Sequence, residues 1–237
     1  MNKIEENNLK EINLLNQRGG RMLSILDLIN ANTLSLDMAS YLLSWMQENP
    51  SLLTAALESG TGKTTLMGAL LNLIRPGIKI KSISEVPSKP KEDIKYMVHE
   101  IGKGLYYSYL WEEIPDFFSL SKGTLVSGIH ASNLEEIKKK LTALGVSEKG
   151  IHKLDLILIM ENLDKRRVTK IYENINGFNL IYKWDNPNNA FEKVNESKFM
   201  KRNKNEIARA RKFLEDLTGE VYDLSGLRKK LLSFLKT

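Results

Sequence analysis

A short glycine-bearing loop leaves this chain fewer folds than any other stretch. Gly60-Thr61-Gly62-Lys63-Thr64-Thr65 lies between an apolar run of strand length, residues 52–57, and residues 63–74, whose apolar residues fit a buried helix. Strand, loop and helix in that order make a phosphate cradle: backbone N–H groups turn inward around the anion, and the helix adds the positive end of its dipole. Glycines are needed where a side chain would block the anion. Residues Ser59 to Thr65 are therefore the candidate nucleotide-binding residues. Lys63 is expected to reach the β- and γ-phosphates, and the Thr64 hydroxyl to hold Mg²⁺ with help from a carboxylate at the end of a neighbouring strand. The full pattern wants glycine at 57, where this chain has Leu57.

Composition closes off other classes. The chain has 237 residues, 42% of them hydrophobic and 27% charged, an ordinary globular mix with enough apolar material for a core. Cysteine is absent, which removes disulfides, thiolate metal sites and cysteine nucleophiles. The longest apolar run, 156–160, is too short for a membrane helix, so a soluble, cytoplasmic chain is expected. The net charge of +6 comes from the end of the chain. Residues 198–237 carry 11 Lys/Arg against 5 Asp/Glu, and the remaining 197 balance at 24 against 24. Such a tail suits the solvated face of amphipathic helices, or a nucleic-acid or anionic surface.

Residues 1–21 are polar and end in Arg18-Gly19-Gly20-Arg21, which reads as a leader or linker that builds no core. Helices are expected from Ser24 and over 37–48, and strands over 78–83, 106–111 and 124–129. A short helix is expected around 94–101, and a further one runs to Leu144 from a capping box of Ser132 and Glu135. This alternation calls for a mostly parallel sheet. From 156 the pattern becomes an antiparallel meander over 156–160, 166–172, 178–182 and 190–194, and two amphipathic helices close the chain.

Three further residues are candidates for catalysis. Glu112, with Glu113, ends the aromatic run 106–111 and is placed to hold the metal or orient water. Glu85 follows the strand after the loop's helix and can face the same crevice. His130 follows a strand and precedes a helix. His99 and His152 have no partners at metal-ligand spacing, and the GxSxG and HExxH patterns are missing.

With these residues the chain resembles the ATPase family of type II and type IV secretion, type IV pilus and archaellum assembly, particularly its archaeal branch, from about residue 22 to the end. Leu26-Asp27-Leu28-Ile29 through Tyr41 resembles the family's lead-in, and Gly60 to Thr65 its P-loop. Ile83-Ser84-Glu85 resembles its acidic box, and Glu112 stands for the Walker B glutamate. Gly123-Thr124-Leu125 through His130-Ala131-Ser132 is similar to its histidine box, and 155–168 to the hairpin beyond. The stretch from Trp184 through Arg209-Ala210-Arg211-Lys212-Phe213-Leu214 resembles the archaeal C-terminal elements.

The resemblance implies an α/β, RecA-like P-loop core over 22–197 with an antiparallel extension, and a basic helical element over 198–237. It implies ATP or ADP with Mg²⁺, and a hexameric homo-oligomer working at the cytoplasmic side of a membrane platform protein. Set against the family, the chain is expected to lack most of the N-terminal domain and to be shortened on either side of Walker B, and it has no arginine between Pro76 and Lys165. Arg18, Arg21, Arg166 and Arg167 are the candidates to substitute. Three readings follow: a secretion or pilus-assembly motor; a reduced homologue that binds nucleotide with little hydrolysis and serves a structural or regulatory role; and, less favoured, a P-loop protein that handles nucleic acid through its basic tail.

Overall fold

The computed structural model describes residues 1–16, 19–102 and 113–236. Side-chain caps set where several helices begin, each accepting from a backbone N–H of the first turn. Asn2 starts α1 (Lys3–Asn13), Ser24 starts α2 (Ile25–Asn30) in a capping box with Asp27, and Ser35 starts α3 (Leu36–Gln47). After β1 (Leu52–Ala55) comes α4 (Lys63–Leu71), which begins at Gly62 with no side-chain cap. The chain continues through β2 (Lys79–Ser82), β3 (Ile94–Ile101), α5 (Ile114–Ser119) and β4 (Leu125–Ile129). Then follow α6 (Leu134–Ala143), α7 (Glu148–Ile151), β5 (Leu156–Asn162), β6 (Arg166–Asn174), β7 (Phe178–Asp185) and β8 (Ala190–Lys193). The last helices are α8 (Lys198–Arg202), α9 (Lys204–Leu217) and α10 (Leu224–Phe234).

The strands form one sheet in the order β2-β3-β4-β1-β5-β6-β7-β8. The first five in this order pair in parallel, and β5 onward is the antiparallel meander. The fold is α/β, with a mostly parallel sheet between helical layers. Along β1 the side chains leave alternately for two apolar clusters. Leu52 and Ala56 join α1 to α4 and the C-terminal helices on one face, and Leu53 and Ala55 join α5 to α7 on the other. Burial on both faces explains why β1 and β5 read as continuous apolar runs. From β1 the chain goes out to β2 at the edge, fills back through β3 and β4, then crosses to β5 on the other side of β1. The carboxyl end of β1 is thus the switch point where a crevice opens.

Several expectations are corrected. Residues 94–101 are strand β3, not a helix: one place in from the edge of the sheet, parallel pairing with β2 and β4 overrides a local pattern that also fits a helix. The expected strand 106–111 and Glu112 lie outside the described residues. The capping box moves one place on. Asn133 caps α6 by accepting from Glu136 N, and it is Glu136 that reaches back to Ser132. Residues 1–21 do contribute to the core, because α1 buries Ile12 and Met22 follows it against Gly68.

In the C-terminal helices, Leu214, Leu217, Leu227 and Leu231 join the main cluster while most basic side chains face solvent. Arg228 is the exception, at 2% exposure. Among the described residues no helix is long and apolar enough to cross a membrane.

Candidate functional site

The crevice at the end of β1 is built from the backbone outward. Gly60 (φ +78) and Gly62 (φ +107) both take left-handed conformations that side chains rarely adopt, so the loop's shape depends on glycine at these two places. Gly62 opens α4 without a side-chain cap, which leaves the first N–H groups of a nine-residue helix free for an anion. Thr61 donates from Oγ1 to Glu58 O at 2.9 Å and closes the turn. Thr64 and Thr65 are half-buried on the first turn of the helix.

Lys63 is 6% exposed, and its Nζ lies 3.4 Å from His130 Nδ1. Burial lowers the Lys63 pKa, and the charge of Glu100 works against that shift. His130 Nδ1 also lies 2.9 Å from Leu57 O. A carbonyl can only accept, so Nδ1 carries the proton in that bond. The other ring nitrogen, Nε2, stands 2.6 Å from Glu100 Oε1. That contact is an ion pair when the ring is protonated, and the buried Oε1 meets no further hydrogen-bond donor among the described residues.

Glu100 is the functional candidate that sequence reasoning missed. A register shift in the β3–β4 pairing between Val98 and Ile101 bulges the strand where Glu100 leaves it. Gly128 permits the bulge: a Cβ there would stand 2.9 Å from His99 O, a backbone atom. His99 is half-buried beside it, and burial lowers its pKa.

The turn that carries His130 is pinned from behind. Ser132 N and Oγ both donate to Glu136 Oε2 at 2.8 Å, and Lys140 Nζ reaches His130 O at 2.5 Å and Glu136 Oε1 at 2.7 Å. The hydrogen bond from Lys140, with those from Ser132, holds the Glu136 carboxyl at about 2.

The structure therefore brings Lys63, His130 and Glu100 together at the start of α4. Glu85 is exposed beyond β2, with β3 and β4 between it and β1. Glu113 has a local task, accepting from Val86 N at 2.6 Å. Among the described residues no group of three or more His, Asp or Glu is arranged to hold a metal by itself. On the other flank of the loop, Thr61, Gly62, Thr65, Met160, Lys165 and Arg166 border a cavity of about 410 Å³ that extends towards α2.

No family model matches the chain, and no curated protein matches it. Among solved structures it is similar to the VirB11 ATPase of the Brucella suis type IV secretion system, crystallised in complex with sulphate. The match has 17% identity and a TM-score of 0.44, and covers 73% of this chain and 58% of that one. The chain thus spans less than two thirds of the length of that ATPase.

Proposed function

We propose that this chain binds and hydrolyses ATP as a subunit of a secretion or pilus-assembly motor. One observation carries the reading: a buried ammonium, an imidazole and a carboxylate converge at the uncapped start of a helix that follows two left-handed glycines. That donor set suits a polyphosphate with a divalent ion. Amides and the Lys63 ammonium would face the anion, while the Thr64 hydroxyl and Glu100 would be the oxygen donors for Mg²⁺. Mg²⁺ held there would supply charge neutralisation on the phosphates. The role read onto Glu112 passes here to Glu100.

In turnover, Lys63 holds the β- and γ-phosphates as negative charge shifts to the leaving oxygen. Glu100 orients water for attack on the γ-phosphorus and takes the proton that the water gives up. His130 donates from Nδ1 to Leu57 O before nucleotide enters, and turns that proton to a γ-phosphate oxygen afterwards. Movement of the loop carbonyl then couples nucleotide state to backbone state. The secretion or filament role, a ring of six copies and a platform protein at the inner membrane face rest on the family resemblance of the motif order, from the P-loop through Ile83-Ser84-Glu85 and His130-Ala131-Ser132 to the C-terminal helices.

Calorimetric titration with Mg-ADP and a phosphate-release assay test this directly. Lys63→Ala is expected to weaken binding by about 100-fold or more and to end turnover. Glu100→Gln is expected to lower turnover by about 10²–10³ with binding changed less than about threefold. Lys63→Ala protein that turns over like wild type refutes the site.

A second reading, a nucleotide-binding subunit with little hydrolysis, is favoured by Leu57. This residue stands 60% exposed at the loop entrance, where the pattern wants glycine. Thermal stabilisation by Mg-ADP with no phosphate release above buffer selects it.

A further inference from the structure

Lys63 is one positive charge for a ligand that carries three or four, and guanidinium groups are the usual means of balancing the rest. No arginine occurs between Pro76 and Lys165, so any same-chain guanidinium must come from outside that stretch. The structure sorts the candidates. Arg18 lies outside the described residues. Arg21 holds Asp27 through both terminal nitrogens, at 2.5 and 2.7 Å. Arg167 is 1% exposed, donates to Asp164 and Asn32 O, and stacks on Trp184 at 3.9 Å. It is a structural residue.

Arg166 differs on each count. It is exposed, and among the described residues it has no ion-pair partner. Its Cδ comes within 3.8 Å of where a Cβ on Gly62 would stand, so the side chain lies against the loop itself. Strand alternation sets this up. Arg167 is anchored on one side of β6, which sends its neighbour Arg166 to the other. Arg166 and Lys165 border the same cavity as Thr61, Gly62 and Thr65. Sheet order puts β5 and β6 on one side of β1, and β4 and β3, with His130 and Glu100, on the other.

We propose that Arg166 is a same-chain phosphate ligand whose guanidinium closes over the inner phosphates of a bound nucleotide, while Lys63 and the His130–Glu100 pair take the terminal end. This rests on the nucleotide reading above and adds a binding residue to it. The arrangement makes part of the charge balance independent of a neighbouring subunit.

Calorimetry on the full chain with two probes, Mg-ADP and inorganic triphosphate, tests the proposal. Arg166→Ala is expected to weaken Mg-ADP by about 10-fold and to reduce the loss of affinity between about 50 and 200 mM salt. Arg166→Lys should recover part of the affinity. Arg211→Ala, which removes an arginine paired with Asp37 away from the loop, should change nothing. Arg166→Ala protein that binds Mg-ADP like wild type overturns the assignment and leaves the cradle standing. Wild type that binds neither probe overturns the cradle and this assignment with it.

Discussion

Lys95 lies on β3 at 0% exposure, yet its Nζ is fully engaged. It donates to Pro50 O at 2.6 Å and to Gly123 O at 2.7 Å, tying together the segments that lead into β1 and β4. Burial lowers its pKa to about 7, against the pull of the Asp155 charge. The neutral amine still has two N–H groups for the two carbonyls. The folded pKa lies below the ordinary value of 10.5, so between about 7 and 10.5 the unfolded chain binds more protons. Stability therefore rises with pH across that window. Melting temperatures from pH 6.5 to 9.5 should climb in wild type and flatten in Lys95→Met. The variant should also lose about 1–3 kcal/mol at pH 9, because two buried carbonyls are left without donors. This lysine is also why β3 was illegible. Lys95, His99 and Glu100 interrupt the apolar run that marks a central strand, and Ile94, Val98 and Ile101 then keep a helical spacing. The shape of the loop from Gly60 to Thr65 was legible because it is local: glycine conformation and a helix start need no distant partner.

At the scale of elements, the candidate site depends on how β3 and β4 fail to match. The bulge between Val98 and Ile101 turns Glu100 towards His130, and it exists only while Gly128 lets His99 O come close. Gly128→Ala puts a methyl 2.9 Å from that oxygen, and backbone on both sides leaves it little room. Phosphate release is expected to fall at least about 10-fold, while Mg-ADP affinity, set by the loop and α4, stays within about threefold. The NMR resonances of the His130 ring in the same variant should move towards those of Glu100→Gln, since both lose the contact of Nε2 with the Glu100 carboxylate. Unchanged turnover and unchanged His130 ring resonances would remove the bulge from the account. The alternation of β1, β4 and β5 with their helices was legible as a parallel sheet from periodicity alone. Glu100 was not legible as a candidate, because sequence shows where apolar runs end and not which strand lies two places from β1.

For the molecule as a whole, the polar start of the chain proves to be a fastening. Asn8 on α1 accepts from Ile80 N and donates to Ile78 O, and Glu11 accepts from Ser82 N, all at 2.8 Å, so α1 supplies the outer edge of β2 with partners in place of another strand. One turn earlier, Glu5 meets Arg228 of α10 at 2.6 Å, with both side chains at 3% exposure or less. Arg228 also donates to Asn72 O and Ile74 O just beyond α4, the helix that begins at the candidate phosphate site. First helix, last helix and loop helix are thereby joined at a single buried charge pair. Sequence hid this because the buried stripe of α1 includes Glu5 and Asn8, polar residues that count as interior only once their partners are known. The pair is incompletely satisfied, since Glu5 Oε1 and Arg228 Nη2 have no hydrogen bond. Removing one partner strands a buried charge, whereas removing both relieves two desolvation costs together. Arg228→Met should therefore lower unfolding free energy by about 3–5 kcal/mol, and Glu5→Leu combined with Arg228→Met should recover most of that loss. Denaturant midpoints of the single and double variants measure the difference. If the double variant is as unstable as the sum of the two single ones, the helices are held by packing around the pair and not by the charges.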